Sequence, residues 1–491
     1  MAERRRSRPA RRPGASWSRV ATALGAGLAV LVAGCALDNA GTPAPAGELN
    51  FPIAIALAPS VGGAPSPYLF VANSNFDLRY SSATVQSYDL GVIDRALGER
   101  CSAAGVDPSE CALVPNASDA EQREGLTAIY VPSMLASEVV IGSFADGLEI
   151  APDGRRLYLP VRSDSDVTWI DVDANGQLAC GAPATGRPKC DQDHRHVDRT
   201  LLDARGLDLP TDPVDIAVGP LTALGTTLPG NYLLIAQRNA SVTLAVDMPS
   251  MAKPAAVDVM SELGLEQVTA TVDPTTGLVW VPTGVAPGVA SNLIARAGLA
   301  IDGETATPDQ MHLWRTTPAV ITAVNNGADT REVRFDPRDP SLLYVLSRSP
   351  TAVLVARRAL DDGRLDVKDV IAVGTGPSRM TLATVPVGGG RPDRLLAFVS
   401  CFDERDVYVI DLDRRQVLAV VRNVSGPFEL EPDLVRERLY VTDFRTSSIR
   451  VFDLGPLLRC LRDEAAPELD RTCAPQILGL IGKPVSVREL Q

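Results

Sequence analysis

Residues 149–173 read "EIAPDGRRLYLPVRSDSDVTWIDVD", and residues 429–454 read "ELEPDLVRERLYVTDFRTSSIRVFDL". Both contain a Pro-Asp turn signal, an apolar run, a polar knot and a second apolar run, yet they share few residues. Runs rich in Val, Leu, Ile and aromatics suit a pleated, half-buried strand, and Pro, Asp and Gly supply the reversals between strands. A rhythm kept while its residues change marks a building unit rather than a site.

Five further stretches keep the rhythm: "YLFVANSNFDLRYSSATVQSYDL" (68–90), "YLLIAQRNASVTLAVDM" (232–248), "GLVWVPTG" (277–284), "LLYVLSRSPTAVLVARRAL" (342–360) and "LLAFVSCFDERDVYVIDL" (395–412). Their equivalent apolar positions are Phe70, Tyr158, Leu234, Trp280, Tyr344, Phe398 and Tyr440. The shortest spacings, 42 and 46 residues, match one four-stranded blade, and the longer ones read as blades with insertions. The expected fold is therefore all-β: a β-propeller of seven blades, each of four antiparallel strands, with disulfide-stapled loop insertions. Stacked sandwiches are the competing arrangement. The fourth unit is the weakest, because no third strand is evident around "NLIARAGLAI".

"YVTD" (440–443), "YVLS" (344–347) and "FVAN" (70–73) resemble the Tyr-Val-Thr-Asn tetrapeptide of the YVTN-type β-propeller repeat family. The phrase "FVANSNFDLRYSSATVQSYDL" also resembles the first blade of bacterial propeller lipoproteins. The resemblance covers most of residues 49–491. It implies fold and little about function, since its motifs are strand and turn residues.

The N-terminal segment has its own chemistry. "RRRSRPARR" precedes an apolar stretch from Val20 to Ala33, which suits a secretory signal and is short for a membrane span. It ends in "LVAGC" (31–35), which resembles a bacterial lipobox with Cys35 as the acylated residue. The expected organisation is a lipoprotein signal peptide over 1–34, a lipidated flexible tether over 35–48 and the propeller domain over 49–491. The segment before Cys35 carries seven Arg and one Glu, a net +6, so its removal takes the chain from −13 to −19. That charge excludes nucleic acid and anionic membrane surfaces as electrostatic partners. The expected location is the cell envelope, on its periplasmic side and anchored by lipid. Ala36 after the Cys leans the anchor toward the outer rather than the inner membrane, and a monomer is expected.

Eight cysteines are present. With Cys35 acylated, proximity in an oxidising compartment pairs Cys101 with Cys111, Cys180 with Cys190 and Cys460 with Cys473. Cys401 is left as a buried small hydrophobe. All three pairs follow third strands, so the stapled loops are expected on one face of the disc.

The opposite face carries the turns between second and third strands. Those turns contain Arg79, Arg162, Arg238, Arg348, Arg405 and Arg445, in six of the seven units. First-strand entrances on the same face add Asp215, Glu332 and Arg379, from "PVDIAV", "REVRF" and "PSRMTL". Such a channel mouth suits a carboxylate, a phosphate or an acidic peptide. The plainer reading is that Arg is simply the main cation here and pairs with Asp77, Asp164, Asp403 and Asp443; the chain has only four Lys.

Catalytic motifs are sparse. The sequence holds no G-x-S-x-G, H-E-x-x-H, P-loop or G-x-G-x-x-G pattern. Of three histidines, His194 and His196 lie in "CDQDHRHVD", a weak candidate for a divalent metal; a solvated polar loop explains it as well. "DVDANG" (171–176) starts like a calcium loop, but position twelve is Ala182, which suits a hairpin turn better. No cofactor is expected. The leading functional expectation is a non-catalytic binding or scaffold protein of the envelope, with a protein or an anionic small molecule as partner. The alternative is a propeller enzyme, lactonase-like or quinoprotein-like, working in the central channel. Carboxylates converging on the Arg-bearing face would favour the enzyme, and a broad apolar patch the platform.

Overall fold

In the computed structural model, the described residues are 41–60, 62–99, 111–114, 126–130, 132–181, 187–238, 241–261, 263, 265–267, 269–284, 293–302, 307–322, 329–359, 363–422, 424–463 and 473–483. Cys35 and Cys101 lie outside them, so neither the lipidation site nor the first expected bridge is among the described residues. Residues from Ala44 onward form one compact unit.

The fold is all-β and propeller-like. The opening stretch folds as read: Glu149–Ile150, Arg156–Val161 and Asp166–Val172 are three successive antiparallel strands, and Leu178–Ala179 adds the outer one. The first unit pairs Pro52–Leu57, Tyr68–Asn73, Ala83–Asp89 and Leu135–Ile141 in that order. The third pairs Pro213–Pro220, Asn231–Gln237, Ser241–Asp247 and Ala255–Met260. The sixth pairs Pro377–Val385, Arg394–Cys401, Asp406–Asp411 and Gln416–Val421.

Seven separate sheets were expected, and the hydrogen bonding forms six. The fourth and fifth units are fused into one ten-stranded sheet. Ala319–Ile321 pairs antiparallel with Leu293–Ile301 of the fourth unit and parallel with Arg364–Ala372 of the fifth, bridging two outer edges. The last unit, Pro427–Asp433 through Gln476–Ile481, gains two strands from the first unit's insertion, Leu126–Ile129 and Cys111–Val114. Both additions cover an exposed strand edge, which otherwise invites pairing with another chain. The fourth unit does have its third strand: "LIARAGLAI" is Leu293–Ile301, paired with Val279–Gly284 and Met311–Arg315.

Apolar packing shows how the units follow one another. Phe70, Tyr158, Leu234, Trp280, Tyr344, Phe398 and Tyr440 are all at most 2 % exposed. The buried apolar residues described fall into seven clusters, each shared by two consecutive units. One joins the last unit to the first, through Tyr440, Val451, Leu69 and Val71. The first strands pack in the same succession, and Pro52–Leu57 lies against both Glu149–Ile150 and Pro427–Asp433. The chain thus closes a ring.

Residues 44–48, expected as free tether, instead lie on the first unit. Arg187 donates to the carbonyls of Ala44 and Pro45 and pairs with Glu138, whose other oxygen accepts from Gly47 N at 2.9 Å. A guanidinium with several donors can hold a short, otherwise featureless backbone in place. The bridges Cys180–Cys190 and Cys460–Cys473 are formed, and Cys401 is free and buried. The second of these bridges sits between third and outer strands, as expected. The first follows the outer strand Leu178–Ala179, and its loop returns to the neighbouring unit, where Cys190 N donates to Val140 O at 2.9 Å.

Candidate functional site in the central channel

First strands line the ring's centre, and five share a local device. Their pairing register slips near the entrance: between Pro52 and Ala54, Pro213 and Asp215, Thr330 and Glu332, Pro377 and Arg379, and Pro427 and Leu430. A bulge at that point re-aims the following side chain. Pro at four of these entrances has no N–H to offer the ladder, which a strand's first residue can spare.

The aimed side chains line a cavity of about 400 Å³. Glu149, Asp215, Glu332, Arg379 and Glu429 reach it from five different first strands. Arg334, Thr381 and Glu431, two residues further along their strands, also line it, because alternate residues share a face. Arg379 is the hub. It is 8 % exposed, pairs with Asp215 at 3.3 Å and Glu429 at 3.4 Å, and lies 5.3 Å over the Phe428 ring. Glu332 is 3 % exposed; it pairs with Arg334 and accepts from Met380 N at 2.7 Å. Gly147 answers a close approach, since a Cβ there would lie 2.8 Å from Asp215 Oδ1.

Five carboxylates against two guanidiniums leave an excess of acid in a confined space. Burial, with neighbouring carboxylates adding to it, pushes Glu149 up to about 8, Glu431 to about 8 and Glu429 to about 7. Burial likewise raises Asp215 to about 6, and Asp146, just before the Glu149 strand, to about 7, although nearby Arg side chains oppose the shift. Burial works against the charge on Arg379, but Asp215, Glu429 and Glu332 outweigh it and hold this guanidinium above its ordinary value. Groups titrating near neutrality beside fixed cations can give and take protons.

Of the residues singled out from sequence, Asp215, Glu332 and Arg379 meet in this cavity. None of the six turn arginines lines it, although Arg162 and Arg238 act on Asp146 together with Arg379. Arg79 pairs with Asp77 at 3.6 Å, Arg162 with Asp212 at 2.5 Å and Asp146 at 3.8 Å, and Arg348 with Asp403 at 2.8 Å. Arg238 and Arg405 are exposed, and Arg445 lies 4.9 Å over the Phe402 ring. Glu149, Arg334, Glu429 and Glu431 were missed, although the alternation in "REVRF" and "ELEPD" announces the last three. His194 and His196 have separate duties. His194 meets Asp191 at 2.8 Å and stacks on Trp169; His196 meets Asp166 at 3.1 Å and Gln192 at 3.0 Å. No cluster of three His, Cys, Asp or Glu suited to a metal ion exists among the described residues. In "DVDANG", Asp173 accepts from the backbone of Asn175 and Gln177, both at 2.8 Å, as a hairpin turn does.

No protein-family model matches the sequence, and no curated protein matches it. Solved structures do. A periplasmic gluconolactonase of Pseudomonas aeruginosa is 16% identical, with 76% of this chain and 85% of that one covered and a TM-score of 0.46. Hydrazine synthase of Kuenenia stuttgartiensis is 12% identical, with coverage of 83% and 96% and a TM-score of 0.46. A candidate 6-phosphogluconolactonase of Bacteroides uniformis is 15% identical, with coverage of 76% and 86% and a TM-score of 0.44.

Proposed function

We propose that this chain is a lipid-anchored envelope protein, acylated at Cys35, whose seven-bladed propeller carries out hydrolytic acid–base chemistry in its central channel. Seven apolar clusters between consecutive units support the blade count. The observation that carries the chemistry is the convergence of Glu149, Asp215, Glu332, Glu429 and Glu431 with Arg334 and Arg379 in one cavity. The suited substrate is a small ester or lactone. Glu429, next to Arg379, takes a proton from water as the water oxygen bonds to the acyl carbon. Arg379 and Arg334 stabilise the oxyanion. The acyl C–O bond then breaks, and the leaving oxygen takes the proton of Glu431. One water is consumed, a lactone gives one hydroxy acid and an ester gives an acid and an alcohol, and the proton on Glu429 returns to Glu431 through the cavity. The scaffold reading asks for a broad apolar patch; of the exposed large hydrophobics described, Phe76 and Leu78 share one turn, whereas Leu293, Trp314, Val370, Val417 and Val435 lie on separate strands and turns.

The test is pH-stat proton release on a panel of γ- and δ-lactones and short esters. Glu429→Gln is expected to lower kcat by about 10²–10⁴-fold. If no panel member turns over, or Glu429→Gln matches the parent, the channel is not a hydrolytic site.

A further inference from the structure

Six of the ten Phe residues form one connected group on the turn face. Phe76, Phe402 and Phe444 follow second strands; Phe51, Phe144 and Phe428 stand at or before first-strand entrances. Phe51 and Phe444, 2 % and 4 % exposed with centroids 4.9 Å apart, make a closed floor. The other four keep ring surface open, Phe76 as much as 43 %. Leaving four more rings partly in water forgoes burial energy. Arg445 lies 4.9 Å over Phe402, has no carboxylate within ion-pairing distance among the described residues, and its Nε is shut off from solvent without an acceptor. An unpaired guanidinium beside open aromatic rings matches an anion with an apolar body.

We propose that the Phe-lined mouth is a binding site for an organic anion bearing an aromatic ring or alkyl chain, its apolar body on Phe76 and Phe402 and its acidic group on Arg445. The site does not depend on catalysis in the cavity below, although Arg379, shared through Phe428, joins the two.

Two probes with one carbon skeleton separate the contributions: 1-anilinonaphthalene-8-sulfonate and its uncharged parent, N-phenyl-1-naphthylamine. Both are titrated by fluorescence against the full chain carrying Cys35→Ser, which avoids detergent. One saturable site per chain is expected. Arg445→Gln is expected to weaken the sulfonate about tenfold and to leave the amine within about twofold. Phe76→Ser is expected to weaken both about tenfold, and this position is open enough for the fold to tolerate it. Arg405→Gln removes the same charge from an exposed turn and is expected to change neither. Loss of sulfonate affinity in Arg405→Gln equal to that in Arg445→Gln would overturn the proposal. Equal responses of both probes to Arg445→Gln, indifference of both to Phe76→Ser, or absence of a single saturable site would each do the same.

Discussion

Replacing Glu431 with Gln should make the protein more stable, increasingly so as pH rises. Glu431 lies in the channel, where burial and then Glu429 and Glu149 push it from an ordinary 4.5 to about 8, with Arg334 and the backbone at Leu57 opposing. Gln mimics the protonated side chain and never ionises. In the parent, the unfolded chain loses its proton near pH 4.5 and the folded chain near pH 8. Between these values the native state holds the extra proton, so stability is fully present below pH 4.5 and drains away as pH rises through 8. At 1.36 kcal/mol per unit, the cost that Gln removes is about 1 kcal/mol at pH 5, about 3 kcal/mol at pH 7, and levels between about 4 and 5 kcal/mol above pH 8. Urea unfolding of parent and variant at pH 5, 7 and 9 reads this directly. A gain that does not grow with pH, or a loss at pH 7, would refute the assignment of Glu431 as a buried acid held against its preference. A gain in stability alongside a loss of turnover would mark the residue as one retained for chemistry.

Two further outcomes test the frame around the channel. Trp280→Ala, at a fully buried ring contacting Phe335 edge-on at 5.5 Å and Arg296 at 5.2 Å, should cost about 3–5 kcal/mol, read as a shifted urea midpoint. Paired Cys180→Ser and Cys190→Ser substitution should cost about 2–3 kcal/mol and abolish the reductant sensitivity of that loop's protease resistance.

The repeating units were legible because their signals are local. Alternation and turn chemistry act over a few residues, so "EIAPDGRRLYLPV" declares two strands and the turn between them wherever the chain later carries them. The burial of Phe70, Tyr158, Tyr344 and Tyr440 followed from the same rhythm. Two local bridges could likewise be read from proximity, because short loops hold their ends near each other. The fusion of the fourth and fifth units could not, since Ala319–Ile321 joins strands whose edges meet only after both units have folded.

The site belongs to the second kind of information. Glu149 and Glu429 stand 280 residues apart in the chain and line one cavity. Phe51 and Phe444 touch across a ring closed between the last and first units, where Phe51 N also donates to Ser447 Oγ at 3.1 Å. By itself the sequence determined that this chain is built of repeated β units, which residues pack inside them, and that Asp215, Glu332 and Arg379 stand at strand entrances. Only the tertiary structure decided that these entrances meet. It also assigned Arg79 and Arg348 to partners away from the cavity, set Arg162 against Asp146, on which Arg379 and Asp215 also act, and left Arg445 among phenylalanines with no carboxylate partner among the described residues. The reason is physical: strand formation depends on neighbours along the chain, while charge pairing, desolvation and cavity shape depend on groups brought together by closure of the ring.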